Sequence, residues 1–164
     1  MEIVRLNFVR EPRGGLYQGL LDFALEVCET ALLVVRDMKP LSLGDKGQAV
    51  LSQLEPFLKR KIVSSEWPGT IAFGWTAWVF YYTLTPESVE ILKQSATGLY
   101  SWMQPDLPED LCLLRGDGRP WLVSIADERD GYLDLTQDEK ARLFEALPAL
   151  ETLVREEQIE DPSD

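Results

Sequence analysis

The sequence feature that most constrains the fold is a pair of apolar runs separated by a Gly-Asp-Gly turn at residues 116–118. Glycine readily adopts the positive φ angles that a tight hairpin requires. A third short apolar run, residues 132–135, follows a polar corner at residues 127–130. This order of runs and turns predicts a three-stranded antiparallel meander across residues 110–135.

Helical periodicity is predicted on both sides of the meander. Apolar residues recur every three or four positions from Leu16 and continue into the fully apolar stretch 31–35, which predicts one helix that ends in the core. Further helices are predicted where Asp45, Thr85 and Thr136 can act as N-caps. Strands outside the meander are predicted at residues 3–10, as an edge strand, and at residues 61–66 and 75–83.

The predicted strands are grouped as hairpins and do not alternate with helices. This order indicates an α+β fold with a mainly antiparallel sheet of about five or six strands, covered by about four helices. Residues 1–155 are predicted to form a single globular domain. Residues 156–164 are predicted to be a frayed acidic tail.

Histidine is absent from the chain. Its absence excludes the ordinary Ser-His-Asp and Cys-His mechanisms and removes the commonest zinc ligand. Cys28 and Cys112 lie inside apolar runs, which predicts buried free thiols and a reducing compartment. The N-terminus lacks the apolar core of a signal peptide, and the longest apolar block is too short to span a bilayer. A cytoplasmic protein with no membrane partner is therefore expected.

The negative charge is concentrated near the C-terminus. The net charge is −12, and residues 105–164 contain seventeen acids and six bases, which gives this stretch −11. Such a field repels nucleic acid and attracts basic partners and cations. A solvated acidic surface that serves only solubility is the alternative interpretation.

Three acids crowd the corner between the second and third meander strands. Asp127, Glu128 and Asp130 surround Arg129 and could form an acid/base pair or a hard-cation site. Alternatively the corner is a plain turn in which Arg129 neutralises its neighbours or reaches Glu109 or Asp110. The spacing does not fit an EF-hand loop, and no serine or cysteine has an activating partner. We therefore predict no catalytic residue, no metal site and no cofactor.

Glu66 and Trp67 precede a Pro-Gly turn. Tryptophan is favoured at binding hot spots, so this pair is a candidate partner contact. The alternative is an indole that closes the edge of the core.

Several stretches resemble a family of small uncharacterised bacterial proteins, some of which carry the label "stage III sporulation protein AH". The resemblance lies in residues 31–36, 66–70, 99–115, 118–126 and 128–132. It covers most of residues 20–145, and it implies no particular activity and no catalytic residue. In size and charge the chain is also similar to bacterial immunity proteins, which are small acidic domains that mask a basic toxin site.

The leading functional hypothesis is a non-enzymatic, immunity-like binding protein that docks a basic protein partner. The candidate contacts are Glu66, Trp67, Asp127, Glu128, Arg129 and Asp130. The alternative is a carboxylate- or metal-dependent hydrolase of small substrates, in which at least two of Asp110, Asp127, Glu128 and Asp130 would converge on one point. A structural subunit of a homo-oligomer is a third hypothesis.

Overall fold

An eight-stranded antiparallel sheet dominates the computed structural model, which describes residues 2–37 and 41–159. A separate two-stranded hairpin and four α-helices pack on this sheet. The strands are β1 (Ile3–Phe8), β2 (Thr30–Val35), β3 (Leu58–Ser64), β4 (Glu66–Trp67), β5 (Thr70–Ile71), β6 (Ala77–Thr83), β7 (Glu109–Leu114), β8 (Pro120–Ile125), β9 (Asp130–Leu135) and β10 (Val154–Ile159). The helices are α1 (Gly15–Val27), α2 (Asp45–Leu54), α3 (Pro86–Ser95) and α4 (Gln137–Ala146).

The strand order in the large sheet is β10-β1-β9-β8-β7-β2-β6-β3. The predicted meander is present as β7, β8 and β9, and its first turn contains Gly118 at a φ of 88°. The fold is α+β, but the prediction of five or six strands is wrong, because the main sheet alone has eight. Strand β1 was predicted to be an edge strand and instead lies between β10 and β9.

One missed strand lies at the centre of the sheet. Residues 31–35 were predicted to end the first helix, but α1 stops at Val27 and these residues belong to β2. Strand β2 is covered on both faces, so residues 31–35 are all apolar and show no alternation. A short run of this kind does not distinguish a central strand from a buried helix by periodicity.

The other missed strand is at the C-terminal edge. Residues 156–159, predicted to be part of a frayed tail, lie in β10 and pair with β1, with Leu6 opposite Glu156 and Arg5 opposite Glu157. An edge strand tolerates charged side chains, so its polar sequence resembles that of a tail. The prediction is wrong for residues 156–159, and residues 160–164 lie outside the described residues.

The two faces of the sheet are covered differently. The helices pack on one face, where Trp102 donates a 2.9 Å hydrogen bond to the Tyr17 hydroxyl, which in turn donates to the Leu92 carbonyl at 2.6 Å. The β4–β5 hairpin covers part of the other face, where Leu32 and Val123 are buried beneath it. Both cysteines are free and buried, as predicted. Among the described helices, none combines the length and apolar character that a membrane span requires.

Candidate functional site

One end of the sheet brings together the acids that the sequence singled out. Strand β3 ends just before Glu66, β8 ends just before Asp127 and Glu128, and β9 begins at Asp130. Asp37 follows the end of β2 at the same end, because β2 runs antiparallel to β7 and Val34 faces Glu109. All five acids are exposed. We call Asp37, Glu66, Asp127, Glu128 and Asp130 the acidic end.

Asp110 links three parts of the chain beneath the acidic end. Its carboxylate accepts hydrogen bonds from the indole Nε1 of Trp67 at 3.1 Å and from the backbone N–H of Ala126 at 3.0 Å. The side chain is 1% exposed, and the backbone adopts a φ of 58°. Asp tolerates this left-handed conformation better than most residues. Asp110 thus ties the β4–β5 hairpin to the β8–β9 corner.

Trp67 is an anchor of the fold. Its side chain is buried, with Val123 and Leu32 in the same cluster, so the prediction of an exposed partner contact is corrected to an indole that closes the core. Its neighbour Glu66 is exposed, as a contact residue must be.

Arg36 is the cation that faces the two buried acids. Its Nε lies 2.8 Å from Oε2 of Glu109 without forming a hydrogen bond to it, and its terminal nitrogen lies 3.7 Å from Oδ2 of Asp110. The Gln104 side chain holds the backbone of Arg36: it accepts from the backbone N–H at 2.7 Å and donates to the backbone carbonyl at 2.8 Å. The guanidinium also lies 4.6 Å from the ring centre of Trp75. Arg36 is therefore held in place from several sides.

Burial raises the pKa of both buried acids, Glu109 and Asp110. Desolvation raises the pKa of Glu109 and is opposed by the charge of Arg36. Desolvation also raises the pKa of Asp110, and the hydrogen bonds from Ala126 and Trp67 oppose it. The negative charge of Asp127 raises both pKa values further. The charge of Arg36 thus acts on two buried carboxyl groups that repel each other, and it lowers the pKa of both.

The raised pKa of Asp110 gives a pH-dependent prediction for the Asp110→Asn variant. Above pH 3.8, the ordinary pKa of aspartate, the unfolded chain loses the Asp110 proton while the folded chain keeps it. The free energy of unfolding of the wild type therefore decreases as the pH rises from 3.8 through the higher folded pKa. Asparagine does not titrate. We expect the stability of the variant relative to the wild type to increase as the pH rises from about 4 through the raised folded pKa, measured by urea unfolding. A difference that stays constant over this range would contradict the shift.

The predicted role of Arg129 is corrected by the structure. Arg129 adopts a φ of 50° and points to Glu11, 3.4 Å away, and to the ring of Tyr100, whose centre is 5.6 Å away. It therefore does not pair with Asp127 or Glu128. Within residues 2–37 and 41–159, neither of these two carboxylates has a hydrogen-bonding or ion-pair partner. In the part of the chain that the structure describes, the Asp130 side chain accepts one hydrogen bond, from the N–H of Gly131 at 2.8 Å.

A groove that the sequence did not reveal lies on the second face of the sheet, under the β4–β5 hairpin. Its volume is about 1040 Å³, and its lining includes Leu32, Lys59, Arg60, Trp67, Phe73 and Tyr81. We call it the hairpin groove. The only signal in the sequence was the aromatic-rich stretch around β6, which could not be assigned to one face of a strand.

Burial and existing hydrogen bonds limit the chemistry that the cysteines and Asp110 offer. Burial raises the pKa of both cysteines to about 12, so each is a neutral thiol. The Asp110 carboxylate is buried and already accepts hydrogen bonds from Trp67 and Ala126. Among the described residues, no group of three or more Cys, Asp or Glu side chains is placed to hold a metal ion. The arrangement is suited to recognition through exposed charge and through the groove.

Comparisons with known proteins add no relative. No family model, no curated protein and no solved structure matches the chain. The resemblance to small bacterial proteins stays a prediction, so the functional argument depends on the geometry.

Proposed function

We propose that the protein is a non-catalytic binding protein that docks a basic segment of a protein partner on its acidic end. The observation that carries this proposal is the pair of exposed, unpartnered carboxylates of Asp127 and Glu128, held on a corner that Asp110 fixes. Exposed acids usually have mobile surroundings. Here the Asp110–Ala126 hydrogen bond fixes the backbone immediately before both acids.

Electrostatics favour a basic partner at this position. Glu109 and Asp110 lie behind the corner and, among the described residues, share the nearby charge of one cation, Arg36. Arg129 is directed to Glu11 and leaves the outward-facing acids unneutralised. Fixed charges of one sign speed association with a complementary surface and disfavour wrong partners. The immunity-like role and the cytoplasmic location belong to this same proposal.

The hydrolase alternative is less well supported. It requires at least two of Asp110, Asp127, Glu128 and Asp130 to reach a common substrate atom. The Asp110 carboxylate is buried and accepts from two protein donors, so a substrate would have to displace Trp67 or the corner backbone. The other three acids are exposed, so water screens their interactions.

The test is a variant that removes three charges from the corner: Asp127→Asn, Glu128→Gln and Asp130→Asn together. We expect basic proteins from a bacterial lysate to be retained by the immobilised wild type at low salt and eluted at moderate salt. The triple variant should retain at least about 100-fold less of the same protein, since close charge pairs contribute cooperatively to binding. The amounts are measured by quantitative mass spectrometry.

The control removes three exposed acids from the helical layer: Asp45→Asn, Glu87→Gln and Glu145→Gln together. It changes the net charge by the same amount as the corner variant and should retain the partner nearly as well as the wild type. An equal decrease in the amount of retained protein for the two variants would show that net charge alone causes retention. Retention of no basic protein by the wild type would also contradict the proposal.

A further inference from the structure

We infer that the hairpin groove binds an apolar organic carboxylate, with its carboxylate at Arg60 and its apolar body beneath the β4–β5 hairpin. This inference goes beyond the proposed docking function, because the groove lies on a sheet face and the docking corner lies at the end of the sheet. The ligand class follows from what lines each part of the groove.

The middle of the groove is apolar. Leu32, Tyr81 and Leu114 come from three adjacent strands and form its floor. On the rim, Ile71 is 61% exposed and Phe73 is 86% exposed. Large exposed apolar side chains beside a concave apolar floor are typical of a ligand site, because a bound apolar body removes both from water.

A positive charge stands at one end of the groove. The guanidinium of Arg60 lies 4.2 Å from the ring centre of Tyr81, which holds it over the groove floor. Lys59 lies next to it in the lining. Within residues 2–37 and 41–159, neither cation has an acidic partner, and a planar guanidinium is well suited to bind a carboxylate through two hydrogen bonds.

The groove lining also contains an acid, Glu66, which follows the end of β3. A carboxylate close to Glu66 would be repelled, so the carboxylate of the ligand is placed at Arg60. The net charge of −12 opposes any anion, but distant charges are screened over about 8 Å at physiological salt, whereas Arg60 would be in contact.

Lys61 provides a matched control on the same strand. Its Nζ lies 4.4 Å from the ring centre of Trp78 and 5.1 Å from that of Phe80, on the opposite face of the sheet. It is exposed and basic, as Arg60 is, but it does not line the groove. Replacing either residue by glutamine therefore removes one charge from β3, and only one of the two changes removes it from the groove.

The experiment titrates decanoate into the protein by calorimetry. We expect Arg60→Gln to weaken decanoate binding about tenfold, Lys61→Gln to leave it unchanged and Arg60→Lys to restore most of it. Decanol, which has the same chain without the charge, should bind more weakly than decanoate. The corner triple variant should bind decanoate as the wild type does, so that this inference and the docking proposal can fail separately.

Three results would overturn the inference. The first is that decanoate does not bind to the wild type. The second is that Arg60→Gln and Lys61→Gln bind decanoate with equal affinity. The third is a wild type that sediments as a dimer and becomes monomeric after Phe73→Ser, because a second copy of the chain would then cover the groove.

Discussion

Replacing Asp110 by alanine is expected to lower the free energy of unfolding by roughly 3–5 kcal/mol, the largest effect we predict for a single substitution. The variant leaves the indole N–H of Trp67 and the backbone N–H of Ala126 buried without an acceptor. Each unsatisfied buried donor costs about 1–3 kcal/mol. The charge of Arg36 also loses one of its two nearby acids.

Asp110→Gly distinguishes loss of the carboxylate from strain in the backbone, and Asp106→Ala is the control. Alanine is strained at the φ of 58° that Asp110 adopts, whereas glycine is not. Asp110→Gly should therefore lose most of the same stability if the carboxylate is the cause. Asp106→Ala changes an exposed acid four residues away and should stay within about 0.5 kcal/mol of the wild type.

Urea unfolding followed by tryptophan fluorescence measures all three variants, and loss of the Trp67 anchor should also change the emission of the folded state. A loss below about 1 kcal/mol for Asp110→Ala would contradict the role assigned to this carboxylate.

Replacing Glu139 by alanine is expected to cost about 3 kcal/mol, the second-largest effect. Arg115 donates two hydrogen bonds to Glu139, at 2.9 and 2.6 Å, and both side chains are largely buried. Glu139 also accepts the N–H of Thr136 at 2.9 Å and so completes the capping box of α4. The substitution therefore leaves a buried guanidinium without its acid and removes half of a helix cap.

The cost of Glu139→Ala should depend on pH. Burial acts to raise the pKa of Glu139, but the hydrogen bonds from Arg115 and Thr136 outweigh it and hold the pKa below the ordinary 4.5. The stabilisation is therefore present above pH 4.5 and is lost as the pH falls through the lower folded value. We expect the wild type and the variant to converge in stability at acid pH.

Asp138→Ala is the control for Glu139→Ala. It removes the neighbouring acid on the same helix, which is exposed and pairs with Arg142 at 3.0 Å. An exposed pair at this spacing contributes about 0.5 kcal/mol. Equal losses for the two variants, or a Glu139→Ala cost that does not change with pH, would contradict the account of this ion pair.

The sequence predicted well those features of the fold that depend on nearby residues. Thr85 and Thr136 cap α3 and α4 through bonds to residues three positions on, and these contacts depend on nearby residues alone. The Gly-Asp-Gly turn likewise predicted the β7–β8 hairpin. By contrast, β2 and β10 are defined by their positions in the sheet. A central strand covered on both faces and a polar edge strand have no distinctive local pattern, so both were assigned to other structures.

The candidate site was predicted only in part, for a similar reason. Asp127, Glu128 and Asp130 were recognisable as a charged corner from adjacent residues. The hydrogen bond that fixes this corner joins Ala126 to Asp110 across the meander, and the bond that buries Trp67 spans 43 positions in the chain. The hairpin groove is lined by residues of seven strands, β2 to β8, which meet only after folding. Such contacts depend on tertiary packing, which residue type and spacing do not specify.

The measurement that tests the docking proposal most directly is the dissociation constant of the retained basic partner. It is determined by calorimetry for the wild type, the corner variant and the helical-layer control, at low and at physiological salt. At low salt we expect the corner variant to bind the partner about 100-fold more weakly than the wild type, and the control to match the wild type. The difference in affinity between the corner variant and the wild type should decrease as the salt concentration increases. Equal affinities for the wild type and the corner variant would show that the corner formed by Asp127, Glu128 and Asp130 does not bind the partner.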